Sequence, residues 1–148
     1  MFNLLILDID GVMTDGTKTY GLDGEVLSKT FYDHDFTAIK RFKAKGLSVC
    51  FLSGVKRVNE NMCNRRKVDF FHNENGKDKS EYLDLLCQCY DTSPQNVAYV
   101  GDDIYDLQIM RNVKYIFCPS DAVLDVLELC EERGTVLKSK GGGGVIKE

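Results

Sequence analysis

The 148-residue sequence contains no run approaching the roughly 20 apolar residues of a membrane span. It also has no surplus of positive charge. Its 19 lysines and arginines are outnumbered by 23 aspartates and glutamates, for a net charge of -4, so nothing draws it generally to nucleic acid or anionic membranes. Any anionic ligand must be held by a local positive site. No basic segment precedes the short N-terminal apolar run, which reads as a strand and not as a signal peptide. The six cysteines (50, 63, 87, 89, 118 and 130) form no Cys-x-x-Cys pair, and only His34 and His72 accompany them. Cys87 and Cys89, two apart on a helix, cannot face one metal. Instead of zinc ligands or disulfides, the cysteines read as reduced core residues of a cytoplasmic protein.

The length and the 43% hydrophobic content fit one globular domain over 1–148. Apolar runs at 2–8, 47–53, 68–72, 97–101 and 115–118 read as strands, several of them apolar nearly throughout, as strands buried on both faces should be. Between them lie amphipathic stripes. Phe36, Ile39 and Phe42 share a helix face that Gly46 would end; Tyr82, Leu83, Leu86, Cys89 and Tyr90 form a second stripe, and Val123, Leu124, Leu127 and Cys130 a third. Val55, Val58 and Met62 support a helix over about 56–66. This alternation predicts an α/β fold, a three-layer Rossmann-like parallel sheet whose ligand sits beyond the carboxyl ends of the strands. Residues 17–32 break the rhythm. They read as a β-hairpin turning at Gly21-Leu22-Asp23-Gly24, either a flap over the site or an oligomer contact.

The strand ends carry the chemistry. The first delivers Asp8-Ile9-Asp10-Gly11, two carboxylates one residue apart on one face, where like charges call for a cation or a proton. The second ends on Ser53-Gly54, and the fourth on Gly101-Asp102-Asp103-Ile104-Tyr105-Asp106; Lys79 opens the helix before that strand. A carboxylate pair, a hydroxyl, a lysine and a further acidic cluster suit phosphoryl transfer to an aspartate. One carboxylate attacks phosphorus, while a second protonates the leaving oxygen and later activates water. The hydroxyl, backbone N–H groups and lysine hold the phosphoryl oxygens, and Mg²⁺ offsets the repulsion between anions.

With Asp8-x-Asp10-Gly11-Val12-x-Thr14-Asp15-Gly16 at one end and Val97-Ala98-Tyr99-Val100-Gly101-Asp102-Asp103 at a set distance from Lys79, the chain resembles the haloacid dehalogenase superfamily. Within it, the chain most resembles the small cap-less branch of 3-deoxy-D-manno-octulosonate 8-phosphate phosphatases and sialic-acid-type 9-phosphate phosphatases. The resemblance implies Asp8 as nucleophile and Asp10 as general acid and base, the latter also giving its backbone carbonyl to Mg²⁺. It implies Ser53, with Gly54 and Lys79, for the phosphoryl group, and Asp102 to complete the metal ligands. Asp103 and Asp106 would bond metal-bound waters or orient the loop. Lys77 competes with Lys79 for the lysine role, and only spacing favours Lys79. The resemblance further implies a cytoplasmic homotetramer in which neighbouring hairpins supply the cap that the chain lacks.

Where relatives select their sugar, this sequence departs from them. Val55 follows Ser53-Gly54 where an arginine or glutamate is frequent, and Asp35-Phe36 replaces Asp-Gly. Gly141-Gly142-Gly143-Gly144 lacks the basic residue of the family's C-terminal element, and the closing helix of many relatives does not follow. From the glycine-rich tail, 138–148, Lys138, Lys140 or Lys147 could return that charge, and His34 falls where the hairpin returns towards the site. The expected activity is hydrolysis of a phosphorylated 2-keto-3-deoxy sugar acid, first the octulosonate 8-phosphate, then a nine-carbon 9-phosphate. A generalist phosphatase and a non-catalytic oligomerising relative are the alternatives.

Overall fold

Alternation decides how β1 (Leu4–Leu7) is used. Leu4 and Ile6 turn to one face of the sheet and Leu5 and Leu7 to the other, and all four are buried. The computed structural model describes residues 1–74 and 78–147; Lys77 lies outside the described residues. The hairpin strands β2 (Thr19–Tyr20) and β3 (Val26–Ser28) stand apart from the main sheet. That sheet adds β4 (Ser48–Ser53), β5 (Asp69–His72), β6 (Val97–Val100), β7 (Tyr115–Cys118) and β8 (Thr135–Val136), in the order β5-β4-β1-β6-β7-β8 with every neighbouring pair parallel.

Helices α1 (Asp33–Ala44) and α2 (Arg57–Arg66) cover the face of Leu5 and Leu7, where Phe36, Ile39 and Cys63 pack with Val49, Phe51, Ala98 and Val100. Helices α3 (Leu83–Cys89), α4 (Leu107–Asn112) and α5 (Leu124–Arg133) cover the other face, placing Leu86, Ile109, Met110 and Val126 around Ile6, Leu52 and Tyr99. The three-layer parallel α/β fold expected from the pattern is therefore the one found, and no cap domain interrupts the described residues. The pattern did not predict α4 or β8. The stripe at 82–90 becomes helical in two pieces, a 3₁₀ turn over Lys79–Tyr82 and then α3. All six cysteines carry free thiols, and all but Cys89 are buried.

The chain visits β4 and β5 on one side of β1, then crosses to β6, β7 and β8 on the other. This reversal opens a crevice beyond the carboxyl ends of β1 and β6, the place where open α/β sheets bind ligands. The hairpin stands clear of the core, exposing Tyr20, Leu22 and Leu27.

The tail is packed. Gly141 N–H donates to Asp121 Oδ1 at 2.9 Å and Gly142 N–H to Val12 O at 3.1 Å, while Val145 and Ile146 are buried against α1 and β1 residues. A Cβ at Gly141 would lie 2.1 Å from Gly11 O, so the approach needs glycine. Lys147 N–H donates to Asp35 Oδ1 at 2.9 Å. Burial raises the Asp35 carboxyl pKa, and the tail amides oppose that shift.

Candidate active site

Asp8 lies one residue beyond the end of β1 and Asp102 two beyond the end of β6, with Asp8 N–H bonded to Val100 O at 3.0 Å. Asp8 is buried. Its Oδ1 accepts from Ile9 N–H at 2.8 Å and from Lys79 Nζ at 2.9 Å. Lys79, equally buried, reaches Asp106 Oδ1 at 2.8 Å. Burial alone would weaken the lysine's hold on its proton, but the carboxylates of Asp106 and Asp8 outweigh it and raise its pKa.

Asp106 is the hub of this half of the site. It is fully buried and accepts four bonds: Lys79 Nζ and the Tyr99 hydroxyl on Oδ1, Asp102 N–H at 3.0 Å and Asp103 N–H at 3.1 Å on Oδ2. Burial would raise its pKa, yet the Lys79 ammonium holds the carboxyl below its ordinary range. Asp103 caps its own 3₁₀ turn by accepting from Ile104 N–H at 2.7 Å. Both carboxylates accept from amides of the loop that follows β6.

Asp8, Asp102 and Asp106 each bring a carboxylate oxygen within 4.8 Å of the others. Asp106 thus joins the two carboxylates expected at the metal, Asp8 and Asp102, while Asp10 was expected there through its backbone carbonyl. The Asp106 oxygens, however, are occupied by four donors. Asp102 Oδ1 is buried without a hydrogen-bond partner among the described residues. Burial pushes the Asp102 carboxyl up to about 7, and raises that of Asp8 with the help of the Asp106 charge. An orphaned carboxylate oxygen amid crowded carboxylates fits a divalent cation with a taste for oxygen ligands. Gly11 makes the approach possible. Its φ is +85°, and a Cβ there would fall 1.7 Å from Asp102 Oδ2.

Asp10 belongs to a second network. Its Oδ1 accepts from Lys29 Nζ at 2.6 Å, and its Oδ2 lies 3.4 Å from Asn59 Nδ2. Asn59, fully buried in α2, also accepts from Lys29 Nζ at 2.8 Å and donates to Ser53 Oγ at 3.0 Å. Ser53 Oγ accepts a further bond from Val55 N–H at 3.2 Å. With both lone pairs engaged, its O–H is left to donate. The sequence reading singled out neither Lys29 nor Asn59.

Asp8, Asp10, Ser53, Lys79 and the aspartates of the β6 loop line a cleft of about 340 Å³ that also includes Gly54, Lys18, Val55 and Tyr105, whereas Lys29 and Asn59 are not on its wall. Among the described residues, Lys18 lines it with no carboxylate within ion-pair distance. None of the tail lysines is on its wall. Lys147 instead lines a groove along α1 with His34, Arg41 and Lys45. His34 is likewise outside the cleft, its Nδ1 3.0 Å from the Tyr32 hydroxyl. Among the described residues, no helix is long and apolar enough to cross a membrane.

No family model matches the chain. Curated relatives do. The 3-deoxy-D-manno-octulosonate 8-phosphate phosphatase of Escherichia coli is 33% identical over 147 residues, 98% of this chain and 75% of that protein. Among solved structures, the phosphatase of the same name from Yersinia pestis superposes with a TM-score of 0.88 at 29% identity, covering 99% of this chain and 77% of that one. The cobalt-bound phosphatase from Haemophilus influenzae gives 0.88 at 28% identity, covering 99% and 83%. A HAD family hydrolase structure from Streptomyces avermitilis gives 0.89 at 25% identity, covering 99% and 82%.

Proposed function

We propose that this chain, which belongs to the 3-deoxy-D-manno-octulosonate 8-phosphate phosphatase family of the haloacid dehalogenase superfamily and is a phosphoric monoester hydrolase, acts with Mg²⁺ on a phosphorylated 2-keto-3-deoxy sugar acid. The octulosonate 8-phosphate is the first candidate and a nine-carbon 9-phosphate the second. The observation that carries this reading is the meeting of Asp8, Lys79 and Asp102 at the β1/β6 crevice, opposite a Ser53 hydroxyl free to donate.

In this reading Asp8 attacks phosphorus. As the bond from its carboxylate to phosphorus forms, the bond from phosphorus to the sugar oxygen breaks, and Asp10 delivers a proton to that oxygen. Asp10 then takes a proton from the water that cleaves the aspartyl phosphate, restoring Asp8 and releasing phosphate. Ser53, the backbone at Gly54 and Lys79 hold the phosphoryl oxygens. Asp8, the Asp10 carbonyl and Asp102 would hold Mg²⁺, which when bound supplies charge compensation between carboxylate and phosphate. Asp106 stays committed to Lys79, Tyr99 and the loop amides.

The altered selectivity positions leave Lys18 as the cation for the substrate's carboxylate. The test is a panel of sugar phosphates with and without a carboxylate, assayed with Mg²⁺. Phosphate release should be strongest, by kcat/KM, from the keto-deoxy acids. Lys18→Ala should raise KM for those acids about tenfold, the scale of one charge-assisted hydrogen bond at a half-exposed site, and leave neutral esters unchanged. Equal kcat/KM across the panel would make the enzyme a generalist; no release from any member would sink the reading.

The exposed Tyr20, Leu22 and Leu27 of the hairpin favour assembly into a homotetramer, in which neighbouring hairpins complete the cleft. Light scattering should give a mass four times that of one chain, and a monomer would overturn this. Six free thiols suit a cytoplasmic setting.

A further inference from the structure

Lys29 is the first residue after β3, at the end of a hairpin whose other large side chains are mostly exposed, yet its own side chain is fully buried. A lysine taken out of water needs partners for its charge. Here it has two, Asp10 Oδ1 at 2.6 Å and Asn59 Oδ1 at 2.8 Å. Asn59 closes the ring by approaching Asp10 Oδ2 and donating to Ser53 Oγ. The proton-transfer carboxylate is therefore held from both oxygens, and the holder on one side also orients the phosphate-binding hydroxyl. Asp10 lies beyond the end of β1 and is part exposed, so neither sheet register nor close packing defines its rotamer. The two donors take over that task.

We infer that Lys29 and Asn59 act as a positioning clamp on Asp10, with Lys29 carrying the placement of the hairpin into the step that protonates the leaving oxygen. The inference rests on the assignment of Asp10 as general acid and base made above. Lys29 touches no reacting atom and acts through Asp10.

A clamp on the acid predicts dependence on the leaving group. An alkyl phosphate expels a poor leaving group and needs the proton; p-nitrophenyl phosphate expels a stable phenolate and does not. Lys29→Met, which keeps the chain length and removes the charge, should lower kcat/KM for the best sugar phosphate of the panel about 30-fold, within the range of general acid catalysis. For p-nitrophenyl phosphate the loss should stay under about threefold. Lys29→Arg, which retains the donors, should recover part of the sugar-phosphate rate. In an Asp10→Asn background, adding Lys29→Met should cost nothing further on the sugar phosphate, because removing either member removes the same interaction. Equal losses on both substrates, or full additivity with Asp10→Asn, would overturn the clamp. Thermal unfolding of each variant separates these outcomes from a folding defect. The parent reading fails by a different result, persistence of turnover in Asp8→Asn.

Discussion

Asp8→Asn is expected to lower turnover by about 10⁴-fold or more on every phosphate ester, activated or not, because the amide offers no anionic oxygen to attack phosphorus. The same substitution should not destabilise the protein. Burial first, and the Asp106 charge second, raise the Asp8 carboxyl pKa, so the ionised form is held at a cost in the metal-free fold. An isosteric neutral group relieves that repulsion, while Lys79 keeps its bond to Asp106. Thermal unfolding without metal should give a Tm equal to or above the parent's, alongside a phosphate-release assay showing no turnover. Activity within tenfold of the parent would remove Asp8 from the nucleophile's role. A Tm well below the parent's would mean that the Lys79–Asp8 pair outweighs the repulsion among the carboxylates.

The parts of the site that were legible in the sequence are those fixed by strand ends. Asp8, Ser53 and Asp102 each stand at or one or two residues beyond the carboxyl end of a buried parallel strand, so the apolar run itself pointed to them. Lys79 followed from spacing. The second network carried no comparable signal. Lys29 lies in a short hairpin of alternating polar residues, and nothing local distinguishes its buried side chain from the exposed ones beside it. Asn59 is the third residue of α2, near Arg57 and Glu60, and reads as one more polar position on a solvated helix. Its burial goes with partners distant in sequence, Lys29 and Asp10, which lie 30 and 49 residues away. The tail is a similar case. Four consecutive glycines show no period from which packing can be read, whereas Val145, Ile146 and a carboxylate 112 residues away from Lys147 hold the tail in place. Helix α4 escaped because six residues are too few to show a period.

Asp106→Ala should have the largest effect on stability, although Asp106 touches no substrate in the reaction described here. Four donors converge on its carboxylate: an ammonium, a phenol and two backbone amides. Truncation leaves Lys79 buried with Asp8 as its one remaining charged partner among the described residues, strands the Tyr99 hydroxyl, which burial and the Asp106 charge keep protonated, and orphans the amides that shape the loop bearing Asp102. Removing one member of a buried, charge-assisted network costs about 3–5 kcal/mol, which for a chain of this size lowers Tm by about 10–15 °C. Activity should fall with it, since Asp102 loses its backbone anchor and Lys79 its second carboxylate. The neighbouring Asp103→Ala provides the contrast. Asp103 is exposed and caps one short turn, so its loss should cost about 1 kcal/mol and leave most of the turnover. Calorimetric unfolding of the two variants decides the matter. If Asp106→Ala unfolds within about 1 kcal/mol of the parent, the loop is held by something other than this carboxylate. If instead the two neighbours separate as described, the acidic cluster divides into aspartates that do chemistry and one that keeps them in place.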